Sequence, residues 1–76
     1  MAFEEAGTAF DDELAIDAPD EEHSGKEERR VLIGLSERLR LLTVVYTERD
    51  EKIRLITARR STRAEEASYA LQGHGS

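Results

Sequence analysis

Hydrophobic positions follow helical spacing at the two ends of this chain and strand alternation between them. Phe3, Ala6 and Phe10 fall at i, i+3 and i+7, one stripe of a helix. Glu4 and Glu5 lie in its first turn, where the helix dipole favours negative charge. Gly7 weakens its middle by about 1 kcal/mol relative to alanine, and Asp11 and Asp12 end it. Leu14, Ile16 and Ala18 then alternate with Ala15 and Asp17, which predicts a short strand stopped by Pro19. Residues 19–28 form an acidic loop with Ser24 and Gly25 as turn formers.

Three longer strand patterns follow. Val31, Ile33 and Leu35 face one way with Leu32 and Gly34 opposite. Leu42, Val44 and Tyr46 alternate with Leu41, Thr43 and Val45, and Ile53, Leu55 and Thr57 with Arg54, Ile56 and Ala58. The connections around Ser36–Leu39 and Glu48–Glu51 are short enough only for antiparallel hairpins. Both faces of the middle strand are apolar, as at the centre of a sheet covered on at least one side. Thr62 and Glu65 make a capping box that opens a last helix. Its stripe of Ala64, Ala67, Ser68 and Leu71 lets it sit close on the sheet, and residues 72–76 fray. The expected fold is α+β: a small antiparallel sheet, made of a three-stranded meander plus a short strand, with flanking helices in one domain spanning residues 1–76.

At 76 residues the core is small and stability marginal. Without cysteine there is no disulfide and no thiolate metal site, and two histidines give no zinc motif. Read as a calcium loop from Asp17, the third position is Pro19 and the sixth is Glu22, where glycine is required. No metal or cofactor is expected. No apolar run approaches the roughly 20 residues that cross a bilayer, and no export pattern opens the chain, so a cytoplasmic protein without membrane contact is expected. The net charge of −6 hides an asymmetry: residues 1–28 hold eleven carboxylates and one lysine, whereas residues 29–76 hold ten Lys/Arg against six Asp/Glu. Nonspecific nucleic-acid binding over the whole surface is therefore disfavoured, while a local arginine site is left open.

That site would be Arg54, Arg59, Arg60 and Arg63, running from the last strand into the last helix. The first N–H groups of a helix and guanidinium forks both suit phosphate. The same arginines could instead pair with the acidic first segment, and spacing alone leaves both readings open. Arg59 and Arg60 point to opposite faces if the strand continues through them. Glu48 and Arg49 form a second candidate pair at a hairpin turn, Tyr46 fits a core position, and Tyr69 suits either core or a base-stacking surface.

Taken together, residues 28–34 (E-R-R-V-L-I-G), residues 42–49 (L-T-V-V-Y-T-E-R) and residues 53–65 (I-R-L-I-T-A-R-R-S-T-R-A-E), followed by Tyr69, resemble the BrnT toxin family. Phe3 to Ala6, Phe10 to Asp12 and residues 20–24 fit the same pattern in order and spacing. The resemblance covers residues 3–69 and implies a RelE-like fold. It also implies metal-independent RNA cleavage that inhibits translation, neutralised by a BrnA-like ribbon-helix-helix antitoxin in a hetero-oligomer. On that reading Arg59 and Arg63 stabilise the phosphate, Glu48 serves as base, Tyr69 contacts a nucleotide or donates a proton, and Arg49, Arg54 and Arg60 bind RNA. The chain starts where family members have already passed one more strand and helix, so it reads as an N-terminally shortened member. Thr57 stands where serine is common, and Glu66 where a basic residue is common. The alternative expectation is a non-catalytic, degenerate module that keeps the antitoxin-binding surface.

Overall fold

The computed structural model describes residues 3–20 and 28–74. Helix α1, Phe3–Thr8, runs into a 3₁₀ turn, Ala9–Asp11. Strands β1 (Ile16–Pro19), β2 (Arg29–Leu35), β3 (Leu41–Arg49) and β4 (Lys52–Arg60) follow, then helix α2, Arg63–His74. The strands form one antiparallel sheet in the order β1-β2-β3-β4, the meander plus a short strand that the alternation predicts, with a helix at each end of the chain. Most of the predicted acidic loop, residues 21–27, lies outside the described residues, as do residues 75–76. The last helix continues to His74, into the predicted tail.

Register sorts the side chains onto two faces. Leu32, Val44 and Ala58 stand in one row and Gly34 and Leu42 in the next, all on the inner face. They meet Ala6, Ala9 and Phe10, and the buried core is Ala6, Ala9, Leu32, Leu42, Val44 and Tyr46. Tyr46 receives the Phe10 ring edge-on at 4.9 Å between centroids. The predicted stripe is only partly right: Phe3 is 54% exposed, while Glu5, Ala6 and Ala9 are buried. Tightening to 3₁₀ geometry after Thr8 turns Ala9 inward, and Gly34 makes room for it, since a β-carbon there would stand 2.7 Å from the Ala9 carbonyl oxygen.

Polar groups fix α1 to the β2–β3 turn. Ser36 Oγ donates to Glu5 Oε2 (2.8 Å), as does Arg40 Nε (2.9 Å), and Arg40 Nη2 bonds Glu5 Oε1. The Arg40 guanidinium holds the Glu5 carboxyl below its ordinary range despite its burial. Leu14 is exposed in a turn closed by its N–H on Asp12 Oδ1, so the first strand begins at Ile16 rather than Leu14. Pro19 ends that strand from within. This is permitted because β1 is a sheet edge, where a missing N–H costs no ladder bond.

In β4, Val45 pairs Thr57 while Tyr46 pairs Leu55, leaving Ile56 as the extra residue of a bulge. The β3–β4 hairpin turns through Asp50 and Glu51, both at positive φ (53° and 65°), the backbone a two-residue type I′ turn requires.

Candidate nucleic-acid interface

Among the described residues the opposite face of the sheet is the more open one: Arg54, Thr57 and Arg59 are exposed and Arg29, Val31 and Val45 half-buried, with Thr43 and Thr47 buried. Arg29, Thr47 and Arg54 form one row across β2, β3 and β4, Val31, Val45 and Thr57 a second, and Ile33, Thr43 and Arg59 a third. Neighbours along a strand alternate faces, so these rows share a side. The middle of this face is a cavity of about 450 Å³ with Val31, Val45 and Ile56 at its floor and Arg29, Arg59 and Glu65 around it.

Helix α2 crosses one end of the open face. The capping box is present: Glu65 N–H donates to Thr62 Oγ1 (3.2 Å), and Thr62 N–H to Glu65 Oε1 (2.7 Å). The same carboxylate takes a bidentate pair from Arg59, Nη1 to Oε1 at 2.7 Å and Nη2 to Oε2 at 2.9 Å. Ser61 and Thr43 hydroxyls lie 2.9 Å apart beneath it. The Arg59 guanidinium, with help from Thr62 N–H and Thr43, pulls the Glu65 carboxyl down to about 2 against a smaller opposing effect of burial. One turn on, the Tyr69 hydroxyl donates to Asp12 Oδ2, and burial together with that bond pushes its phenol up to about 12.

These two tethers decide which side of α2 faces the sheet. Glu65 and Tyr69 turn inward, whereas Ala64, Ala67, Ser68 and Leu71, the stripe expected to pack, are exposed, Leu71 at 72%. A bidentate ion pair and a half-buried, hydrogen-bonded phenol outweigh the weak apolar preference of three small side chains and one leucine.

Of the residues singled out by sequence, Arg54 and Arg59 share the open face. Arg49 pairs Lys52 at the hairpin end with the same parity, exposed. Arg63 is the exposed first residue of α2, two positions and hence about 200° around the helix from Glu65. Arg60 is in register with Leu42, and Glu48 with Ile53, so both have the parity of the inner face. Arg59 is in register with Thr43, so Glu48 stands five strand residues away, about 17 Å, on the other side of the sheet. Glu48 lines a separate cavity with Glu28, Arg30, Asp50 and Glu51. Arg29, outside the set that sequence singles out, lies two residues before Val31 and so shares its face, which strict alternation signals. Asp12, which holds Tyr69, gave none.

Among the described residues no group of three His, Asp or Glu side chains is arranged to hold a metal ion. No helix there is long and apolar enough to cross a membrane. No curated protein matches the chain. Residues 1–65 match the family described as the ribonuclease toxin, BrnT, of type II toxin-antitoxin systems. With that match spanning the sheet, the Arg59–Glu65 pair and the start of α2, the chain belongs to the BrnT family of ribonuclease toxins, whose partners are antitoxins.

Proposed function

We propose that the chain is a cytoplasmic, metal-independent endoribonuclease that inhibits translation, binding RNA across the open face of the sheet with Arg59 beside the reacting phosphate. The observation that carries this is the gathering of Arg29, Arg54 and Arg59 around an apolar floor in a chain whose net charge is −6. Cleavage joins the 2′-oxygen to the adjacent phosphorus while the bond to the 5′-oxygen breaks. The attacking hydroxyl gives up a proton and the leaving oxygen gains one. Negative charge builds on the phosphorane oxygens, and fixed guanidinium groups stabilise it more than they stabilise the ground state. Glu65 holds the Arg59 fork in one orientation, so little reorganisation remains when charge develops. Neutralisation by a ribbon-helix-helix antitoxin rests on the resemblance to the family.

One observation favours a second reading, a non-catalytic, degenerate module that binds the antitoxin and lacks nuclease activity. The carboxylate next to Arg59 titrates at about 2 and is a poor proton acceptor at neutral pH, and Glu48 lies across the sheet. Incubating the purified chain with end-labelled RNA in EDTA separates the two. Cleavage that falls at least tenfold in Arg59→Ala, with helix and strand signals intact by circular dichroism, supports the nuclease. A folded wild-type chain that leaves the RNA whole supports the module.

A further inference from the structure

We infer that Arg29, Thr47 and Arg54 form a second phosphate subsite, distinct from Arg59, which makes the ligand a single-stranded RNA of at least three nucleotides. This deepens the reading of the open face as the RNA surface and rests on it.

Arg29 on β2 and Arg54 on β4 flank Thr47 on β3 in one register row. Two inter-strand spacings put their backbones about 10 Å apart, a gap that two extended guanidinium side chains close on one anion. Between them is a cavity of about 380 Å³, lined by Arg29, Thr47, Arg54, Leu55 and Ile56. Thr47 is nearly buried, and its hydroxyl donates to the Glu28 carbonyl (3.0 Å), which fixes the floor of the row. Arg59 is already committed to Glu65. Among the described residues, the Arg29 and Arg54 side chains form no ion pair and no hydrogen bond. The neighbouring charges reinforce the site: Arg49 and Lys52 share its side one row further on. Among the described residues, the carboxylates that line the adjoining cavity are Asp20 and Glu65, the latter held by Arg59. Two guanidiniums facing one cavity, neither in an ion pair among the described residues, repel each other, and an entering phosphate relieves that repulsion while accepting a bond from each.

Spacing sets the length of the ligand. The Thr47 row lies four strand residues from the Thr43 row of Arg59, about 13 Å. A single phosphate cannot reach both. Val45 and Ile56 lie between as an apolar floor on which an intervening base can rest, and only an unpaired base presents its face in this way.

Binding can be read without cleavage by using a fluorescent 2′-O-methyl hexaribonucleotide, which lacks the attacking hydroxyl, and following anisotropy across a salt series. Wild type is compared with the double variant Arg29→Gln/Arg54→Gln, and with Arg38→Gln, exposed in the β2–β3 turn, as a charge control. Loss of at least tenfold in affinity by the double variant, with a log–log salt slope shallower by roughly 0.7 per lost contact, supports the subsite. So does a dinucleotide that binds wild type no better than it binds the double variant. Equal affinity and slope in the double variant and in Arg38→Gln overturns it, as does wild type that fails to bind. A double variant that keeps RNA but loses antitoxin also overturns it, by making this patch a protein contact. Binding with these properties in a chain that does not cleave keeps the subsite and removes the nuclease reading instead.

Discussion

The Tyr69 hydroxyl donates to Asp12 Oδ2, joining the second helix to the end of the first turn segment across 57 residues of chain. Asp12 does more than receive it. Its Oδ2 also accepts the Leu35 N–H (2.9 Å) at the end of β2, and its Oδ1 the Leu14 N–H (2.9 Å). One carboxylate thus ties together the exit of the 3₁₀ turn, the sheet and α2. Burial opposes its ionisation, but the three donors prevail and hold its carboxyl below the ordinary value.

Tyr69→Phe removes one donor and leaves Asp12 with two. A hydrogen bond to a charged acceptor contributes about 1.5–3 kcal/mol, so the urea midpoint falls by a corresponding amount. Asp12→Ala removes the acceptor of all three bonds and costs more, upwards of about 3 kcal/mol. The pair also has an alkaline signature. The folded phenol is raised to about 12 against 10.0 unfolded, so its contribution is complete below pH 10 and is lost as pH rises towards 12. Urea titrations at pH 9 and pH 11 give wild type a steeper loss than Tyr69→Phe. A loss remains in the variant, because the Tyr46 phenol is raised as well, by burial and by Asp17. Identical pH slopes for the two proteins contradict the assignment.

Gly34→Ala tests the closeness of the inner layer. The new β-carbon meets the Ala9 carbonyl oxygen at 2.7 Å and the Ala15 and Ala9 β-carbons at 3.2 and 3.3 Å. The first of these is backbone and cannot swing aside. Overpacking of this kind costs about 1–3 kcal/mol, a lowered thermal midpoint in a domain this small. A midpoint unchanged from wild type means that the 3₁₀ segment shifts freely.

Leu39→Gly goes in the other direction. Leu39 sits in the β2–β3 turn at φ 61°, is 78% exposed, and its N–H donates to the Ser36 carbonyl (2.9 Å). A branched side chain in left-handed backbone costs about 1–2 kcal/mol, while glycine gives back part of that gain through its freer unfolded chain. The net expectation is a stabilisation of about 0.5–1 kcal/mol, read as a rise in urea midpoint.

The strands were legible because alternation and register follow from one rule, and the meander needed only short connections. The capping box was legible because Thr62 and Glu65 are local in sequence. Which side of α2 turns inward was not, since it depends on Arg59 and Asp12, six and 57 residues from their partners. Phe3 misled for a related reason: the stripe assumed α-helical spacing through Phe10, whereas the chain tightens after Thr8. For the open face, alternation alone sets Arg54 and Arg59, five residues apart, on opposite sides; the extra residue Ile56 in β4 brings them to one face and leaves Glu48 on the other. Arg29 needed the pairing of β2 with β3, which fixes its row as that of Thr47 and Arg54.

Glu65→Gln separates the two consequences of the Arg59 pair. The folded carboxyl titrates at about 2 against an ordinary 4.5, so its contribution to stability is present above pH 4.5 and is lost as pH falls towards 2. Wild type is therefore more stable than Glu65→Gln at pH 7, and the gap narrows by pH 3. Acid weakening shared by both proteins belongs to other depressed carboxyls, Glu5 and Asp12, and cancels in the difference. Function moves the opposite way. An uncharged amide accepts one bond from Arg59 but no longer neutralises it, which leaves the guanidinium with net charge for a phosphate. Glu65→Gln then binds the 2′-O-methyl hexaribonucleotide several-fold more tightly than wild type at pH 7 while unfolding at lower urea. A variant that loses stability with no gain in RNA affinity makes the pair a structural clamp and moves phosphate binding away from Arg59, towards the Arg29–Arg54 row.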